Sequence, residues 1–202
     1  MQIKSVAKQD KLIINEIVDI HMATFQGFFL TFLGKGFLRQ MYSSYCSHDE
    51  SNLLAALDEK GRPVGFLAYS ANLSGLYKYM IKTRLIAFAW YSLGAFIRKP
   101  KVFMRLVRAF LKPGESKREE AYVELASIGV SPAAKAKGIG SALITHLKQQ
   151  VDFQKYAYIT LETDAVDNDI ANGFYVKNGF ALHRTFTTNE GRKMNEYRYR
   201  NE

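Results

Sequence analysis

The sequence predicts a mixed α/β fold, one twisted mixed sheet flanked by helices, in a single domain over residues 1–202. Three observations predict it. The β-prone run AYVELASIGV leads through a proline turn and two close glycines into the helical SPAAKAKGIGSALITHLKQQ, a strand–turn–helix unit whose helix crosses back to the sheet. SNLLAALDEKGRPVGFLAYSA reads as a hairpin, two apolar strands around the polar turn Glu59-Lys60-Gly61-Arg62. A further strand and helix follow, and the chain closes on two strands. At 202 residues with 48% hydrophobic and 13% aromatic side chains, the chain can bury one sizeable core, so it is globular rather than disordered.

Each element follows in order. Ile3 to Lys8 is a short first strand. Asp10 to His21 is a helix with Asp10 as N-cap and Leu12, Ile13, Ile17 and Ile20 on its apolar side. TFQGFFLTFLGKGFLRQMYSSY, aromatic and broken by Gly27, Gly34 and Gly36, gives two short helices. After the hairpin comes a helical insert at about 74–119, between strands three and four. Tyr122 to Val130 is a strand, Gly138 to Val151 a helix, Tyr156 to Thr163 a strand and Asp169 to Asn178 a helix. Phe180 to Phe186 and Met194 to Tyr199 are closing strands around Asn189-Glu190-Gly191.

The net charge of +9 has one source. Lys78 to Lys112 holds nine basic residues and no acid, and the remaining 19 basic residues balance 19 acidic ones. A field spread over the whole protein to attract nucleic acid is therefore the wrong description. The single cysteine, Cys46, excludes an internal disulfide or a cysteine metal cluster and reads as a buried small hydrophobe in a reducing compartment. The N-terminal MQIKSVAKQD lacks the apolar core of a signal peptide, so the expected location is the cytoplasm.

A glycine turn opening a helix presents backbone N–H groups to a phosphate. This one matches neither the P-loop pattern nor the dinucleotide fingerprint, because Gly138-Ile139-Gly140 is followed by Ser141, Ala142 and Leu143 and the third glycine is missing. Taken alone, an ordinary tight strand-to-helix turn explains it equally well.

VSPAAKAKGIGSALI, however, resembles the VxPxx[RQ]GxGxG segment of the GNAT superfamily of N-acetyltransferases, with Lys135, Gly138 and Gly140 at the Arg/Gln and last two glycine positions. NDIANGFYVKNGF resembles that family's NxxAxxxYxxxGF, with Asn168, Ala171, Tyr175, Gly179 and Phe180 in place. Lys135 for Arg or Gln, and Ala136 for a frequent glycine, depart from the pattern but keep their backbone N–H groups. The resemblance implies that acetyl-CoA binds here as cosubstrate. The amides of Lys135, Ala136, Lys137, Gly138, Ile139, Gly140 and Ser141 would hold its pyrophosphate, and the backbone of Ile128, Gly129 and Val130 its pantetheine arm where two strands splay. Gly129 inside a strand suits a bulge or a close backbone approach. Asn168 would bind cofactor amides or cap the helix that follows.

Acetyl transfer from a thioester needs a deprotonated amine, a polarised carbonyl and help for the leaving thiolate. By family correspondence Tyr175 gives or shares a proton with the thiolate, and a strand N–H near Val130 polarises the carbonyl. Glu124, six residues before Val130, takes the place where several members put the base, with Glu162 and Asp164 as lesser candidates. As alternatives, Tyr175 packs as a core aromatic and Glu124 sits at a solvated strand end. His21, His48, His146 and His183 show no spacing for a metal or a triad, and no metal is implied.

In the insert, Val102, Phe103, Leu106, Val107, Phe110 and Leu111 form one helical face after Pro100, opposite the stripe Lys101, Arg105, Arg108 and Lys112. The upstream LIAFAWYSLGAFI is too short to span a bilayer. Helix packing, an acceptor lid and a membrane-surface patch all remain open for it, as does a homodimer. The expected function is transfer of acetyl to a primary amine, of a small and anionic molecule such as an amino-sugar nucleotide. A protein N-acetyltransferase and a catalytically silent CoA-binding or membrane-surface module stand as alternatives.

Overall fold

The computed structural model describes residues 1–98, 100, 120–134, 137–189 and 191–201. Seven strands form one sheet in the order β1-β2-β3-β4-β5-β7-β6. They are β1 (Gln2–Ser5), β2 (Ser51–Leu57), β3 (Pro63–Ser70), β4 (Tyr122–Val130), β5 (Tyr158–Asp164), β6 (Ala181–Thr187) and β7 (Lys193–Tyr199). All neighbours are antiparallel except β4 and β5, which the helix α5 (Ile139–Gln150) joins as a parallel crossover. Among the described residues the other α-helices are α1 (Lys11–Thr24), α2 (Phe29–Leu33), α3 (Lys35–Tyr45), α4 (Leu73–Arg98) and α6 (Asp169–Lys177).

The period-two pattern of the strands sends side chains to two cores. On one face Leu53, Ala55, Phe66 and Ala68 pack with Ile14, Ile17, Leu38 and Tyr42 of α1 and α3 and with Leu76 and Met80 of α4. On the other, Leu54, Leu67, Val123, Ile159 and Leu161 pack with Leu143, Ile144 and Leu147 of α5.

Two expectations are corrected at α1. Its inward residues are Ile14, Ile17, Val18, Ile20 and His21, while Leu12 is 80% exposed. Asp10 occupies the N-cap position without capping the helix. Its carboxylate instead accepts from the Ala7 N–H at 3.2 Å and lies 3.7 Å from Lys4 Nζ.

The first part of the insert is one 26-residue helix, α4, packed on α3 through the Phe37–Phe88 ring pair at 4.7 Å and the Arg84–Gln40 hydrogen bond at 2.7 Å. Asn72 caps it, its Oδ1 accepting from the Gly75 N–H at 2.8 Å. The stripe Lys101, Arg105, Arg108 and Lys112 lies outside the described residues, as do Lys135, Ala136 and Glu190.

Candidate active site

β4 is paired on both edges only in its first third. It contacts β5 at Tyr122↔Tyr158, Val123↔Ile159 and Glu124↔Thr160, and no further. Against β3 it runs on to Gly65↔Val130. From Leu125 to Val130 one edge of β4 therefore faces a gap left by the diverging β5.

Which groups line that gap follows from the ladder. The Ser131 N–H donates to the Val64 carbonyl at 2.9 Å, so the two-residue alternation turns the polar groups of Gly129 and Ser127 toward β3. Those of Ile128 and Val130 turn the other way, into the gap. There the Val130 carbonyl accepts from the Thr24 hydroxyl of α1 at 3.2 Å. A bulge accompanies the divergence: Ala68 pairs with Ser127 and Tyr69 with Leu125, leaving Ala126 as the extra residue. The bulge thus sits at Ala126 and not at Gly129. Gly129 has another reason to lack a side chain, since a Cβ there would lie 2.7 Å from Phe66 Cε1 and 3.3 Å from Phe25 Cε2.

The glycine turn closes one end of the gap. Gly138 is the N-cap of α5 with φ +70°, a left-handed conformation that glycine adopts without a steric cost. Beyond it, the first-turn N–H groups of Ile139, Gly140 and Ser141 have no partner within the helix, and the helix dipole adds positive potential at the same place. Ile139 turns its side chain into the core and Lys137 is exposed, so the turn is anchored on one side and cationic on the other. At Gly140 a Cβ would stand 3.0 Å from Phe174 Cζ, and its absence lets α6 close over the start of α5. These amides and the outward groups of Ile128 and Val130 fit an elongated ligand ending in a pyrophosphate.

α6 carries Tyr175 over this region. The ring packs on Phe174, Phe180 and Tyr197 at centroid distances of 5.4, 6.1 and 6.0 Å, beside Ile128 and Val130 in the same core. Burial alone pushes its hydroxyl up to about 12, so it keeps its proton at neutral pH. Two residues that the sequence analysis missed, Asn172 and Lys148, fix α6. Asn172 donates to the Asp164 carbonyl at 3.0 Å and accepts from Asn195 and from the Tyr197 hydroxyl at 2.9 Å each. Lys148 Nζ donates to the Asn178 carbonyl at the helix C-terminus at 2.6 Å and lies 3.5 Å from the Tyr199 ring centroid. Asn168 stands at the N-cap position, but its amide donates to the Thr163 hydroxyl at 2.7 Å and the Asp164 carbonyl at 3.2 Å; it makes no cap hydrogen bond.

Glu124 points to the opposite face of the sheet. It is the last residue paired with β5, half-buried, at the mouth of the gap. Tyr45 and Tyr77 lie near enough that its charge adds to the burial raising both phenols, and Glu162 acts on Tyr77 likewise. Asp164 is held by Arg192 through contacts of 2.7 Å to both carboxylate oxygens, which suits a structural ion pair better than a base. His21 is buried, sharing a 2.7 Å hydrogen bond with Tyr42, whose hydroxyl also bonds Ser127 of β4. Burial lowers its pKa to about 4, and its Nε2 is buried with no partner. Only the run of apolar neighbours around His21 could have signalled this. On the same face Glu196, fully buried, binds Arg184 at 2.7 Å and Arg198 at 2.8 Å. Cys46, partly buried against the core, has its thiol pushed up to about 12 by burial.

Concave surfaces of about 530 and 370 Å³ occur at β6–β7 and between α1, α3 and α4, neither at the gap. The gap is an open strand edge, so the geometry of the backbone donors identifies it better than enclosed volume does. Among the described residues, no group of three or more His, Cys, Asp or Glu side chains could hold a metal ion.

The family model of the acetyltransferase (GNAT) family matches residues 14–180. This chain belongs to that family. Its members are acyltransferases that take their acetyl group from acetyl-CoA, which sets aside the reading as a silent module. Among curated proteins none matches the sequence. Solved structures share the fold. An aminoglycoside 6'-acetyltransferase type Ii is 15% identical, with a TM-score of 0.63 over 99% of this chain and 97% of that one. The ribosomal-protein-S18-alanine N-acetyltransferase of Escherichia coli is 15% identical, with a TM-score of 0.59 over 98% and 92%. NAA60 of Arabidopsis thaliana, solved in complex with acetyl-CoA, is 15% identical, with a TM-score of 0.56 over 98% and 97%. At these identities the likeness extends to the fold and leaves the acceptor open.

Proposed function

We propose that this GNAT protein acetylates a primary amine of a small molecule, with acetyl-CoA lying along the open edge of β4. The observation that carries the reading is the end of β4–β5 pairing at Glu124↔Thr160 while β4 continues to Val130. The pyrophosphate would rest on the amides of Gly138, Ile139, Gly140 and Ser141, and the family motif adds those of Lys135, Ala136 and Lys137 to its binding. The pantetheine would bond the outward groups of Ile128 and Val130, with Gly129 between them and Asn168 holding the far wall.

Of the two outward N–H groups, that of Ile128 is nearer the base. Three strand residues lie between it and Glu124, four steps that span about 13 Å in a straight strand and less across the bulge. It therefore donates to the acetyl oxygen, and Glu124 takes the amine proton through water. Tyr175 faces the departing sulfur. A phenol at about 12 will not give its proton outright to a thiolate whose own pKa is about 8.5. It shares the proton in a hydrogen bond that lowers the barrier to C–S cleavage.

For the acceptor, the sequence carries nine cations and no acid from Lys78 to Lys112, in the insert that precedes β4, and a run of that charge favours an anionic group such as a sugar nucleotide. A basic peptide would be repelled by the same field. The cytoplasm, where acetyl-CoA and sugar nucleotides meet, is the expected setting, and nothing in the reading requires a homodimer.

The experiment has two arms. Wild-type protein should be thermally stabilised by acetyl-CoA, and Gly138→Asp, which sets a carboxylate at the pyrophosphate amides, should lose that stabilisation while staying folded. Undiminished stabilisation would move the cofactor elsewhere. Free-thiol release across a panel of amines should be greatest for anionic amino-sugars, and preference for cationic peptides would overturn the acceptor class alone.

A further inference from the structure

α4 carries an apolar face with no role in the site. Leu85, Ile86, Trp90, Leu93 and Ile97 are 58, 86, 71, 47 and 70% exposed. At 100° per residue they fall in one arc of roughly 140°, turned away from the buried Leu76 and Met80. Single exposed apolar residues are ordinary, but a continuous stripe about three and a half turns long marks an interaction surface. Lys78 and Lys82 fall in the same arc at its N-terminal end, both exposed. From Leu73 to Arg98 there is no Asp or Glu.

We propose that α4 lies on an anionic lipid surface through this stripe, with Trp90 at the boundary between headgroups and acyl chains. Three features favour lipid over other occupants. Apolar side chains flanked by lysine without any acid are the composition of a helix that rests in a membrane interface. A second copy docking the same face would set one cationic helix against another, a like-charge arrangement that costs affinity. Tryptophan, with an apolar body and a polar N–H, favours the interfacial layer. The helix lies on the bilayer and does not cross it: among the described residues no helix is long and apolar enough to span one.

Trp90 is the only tryptophan of the chain, so its fluorescence reads the contact without a label. Full-length protein is titrated with phosphatidylcholine vesicles with and without phosphatidylglycerol. The anionic vesicles should shift Trp90 emission to the blue, lipids brominated on the acyl chain should quench it, and the protein should cosediment. Ile86→Glu with Ile97→Glu, both at exposed positions, should abolish the shift and keep the thermal stabilisation by acetyl-CoA. Lys78→Gln with Lys82→Gln should weaken binding by roughly 10- to 30-fold, from about one kcal/mol per lysine at an anionic surface. Three results would each overturn the proposal. One is no response to either vesicle. Another is emission already blue in a protein of doubled mass, which would assign the face to a second copy. The third is blue emission in a monomer, which would assign it to the chain's own residues.

Discussion

The two faces of the sheet at β4 have the same backbone and unlike chemistry. Toward α5 and α6 the side chains are Val123, Leu125, Ile128 and Val130, packed with Leu143, Phe174 and Tyr175, and among the described residues the buried His, Asp, Glu, Lys or Arg side chains, His21 and Glu196, lie on the other face. Toward α1, α3 and α4 lie Glu124, Ser127 and, two strands on, Glu196, with His21, Tyr42, Tyr45 and Tyr77 around them. In the proposed reading the first face can be dry, because the ligand binding falls to backbone N–H groups at its edge. In that reading the second face holds the proton acceptor, and its carboxylate Glu124 is half-buried, with the Tyr45 and Tyr77 hydroxyls near it. In the proposed mechanism Tyr175 and Glu124 thus stand on opposite faces of the sheet, the phenol in an apolar packing of rings and the carboxylate among hydroxyls.

The largest test strikes the polar face. Glu196→Ala leaves Arg184 and Arg198 without their buried anion and should cost about 2–3 kcal/mol of stability, read by denaturant unfolding, less than for a fully buried pair because Arg184 is 39% exposed. A loss below ~1 kcal/mol would mean that solvent already serves the arginines and that the face is less sealed than its geometry implies.

Next come the paired catalytic substitutions. Tyr175→Phe and Glu124→Gln should each lower kcat by roughly 10²-fold, yet with different pH profiles. Without Glu124 the amine must lose its proton unaided, so the residual rate should climb as pH rises toward the acceptor's own pKa. Tyr175→Phe should keep the wild-type profile and acetyl-CoA affinity. Identical profiles would erase the division of roles between the faces.

A smaller effect comes from His21. Burial holds it at about 4, against 6.5 in the unfolded chain, so between these values the unfolded state takes up a proton that the native state refuses. The contribution is full above pH 6.5 and is lost as pH falls toward 4. From pH 7 to pH 5 stability should drop by about 2 kcal/mol through this group, and His21→Gln should flatten that slope. An unchanged slope would locate the acid sensitivity in the carboxylates instead.

The smallest concerns the dry face. Gly140→Ala places a methyl 3.0 Å from Phe174, which must give by a few tenths of an ångström. The expected cost is about 1 kcal/mol, with a weaker acetyl-CoA affinity because α6 is lifted from the start of α5. A neutral result would show that the glycine serves the ligand and not the packing.

The sequence by itself determined the elements and one of the two edges of the site. Strand and helix periods placed Tyr122–Val130, α5 and α6 within a residue or two, and two short motifs led to the glycine turn and Tyr175, because those signals are local: a backbone angle, a cap, a spacing along one helix. Leu12 misled for a local reason as well, since hydrophobicity without its packing partner does not say which way a helix is rolled. Asp10 and Asn168 stood where capping residues stand and bonded elsewhere, because a short polar side chain takes whichever donor or acceptor the fold brings within 3 Å. Only the tertiary structure decided that β5 leaves β4 at Glu124, that the bulge falls at Ala126, and that His21, Tyr42 and Ser127 form one hydrogen-bonded chain. Those facts depend on residues 20 to 100 positions apart meeting across the sheet, and a period read along the chain carries no trace of such meetings.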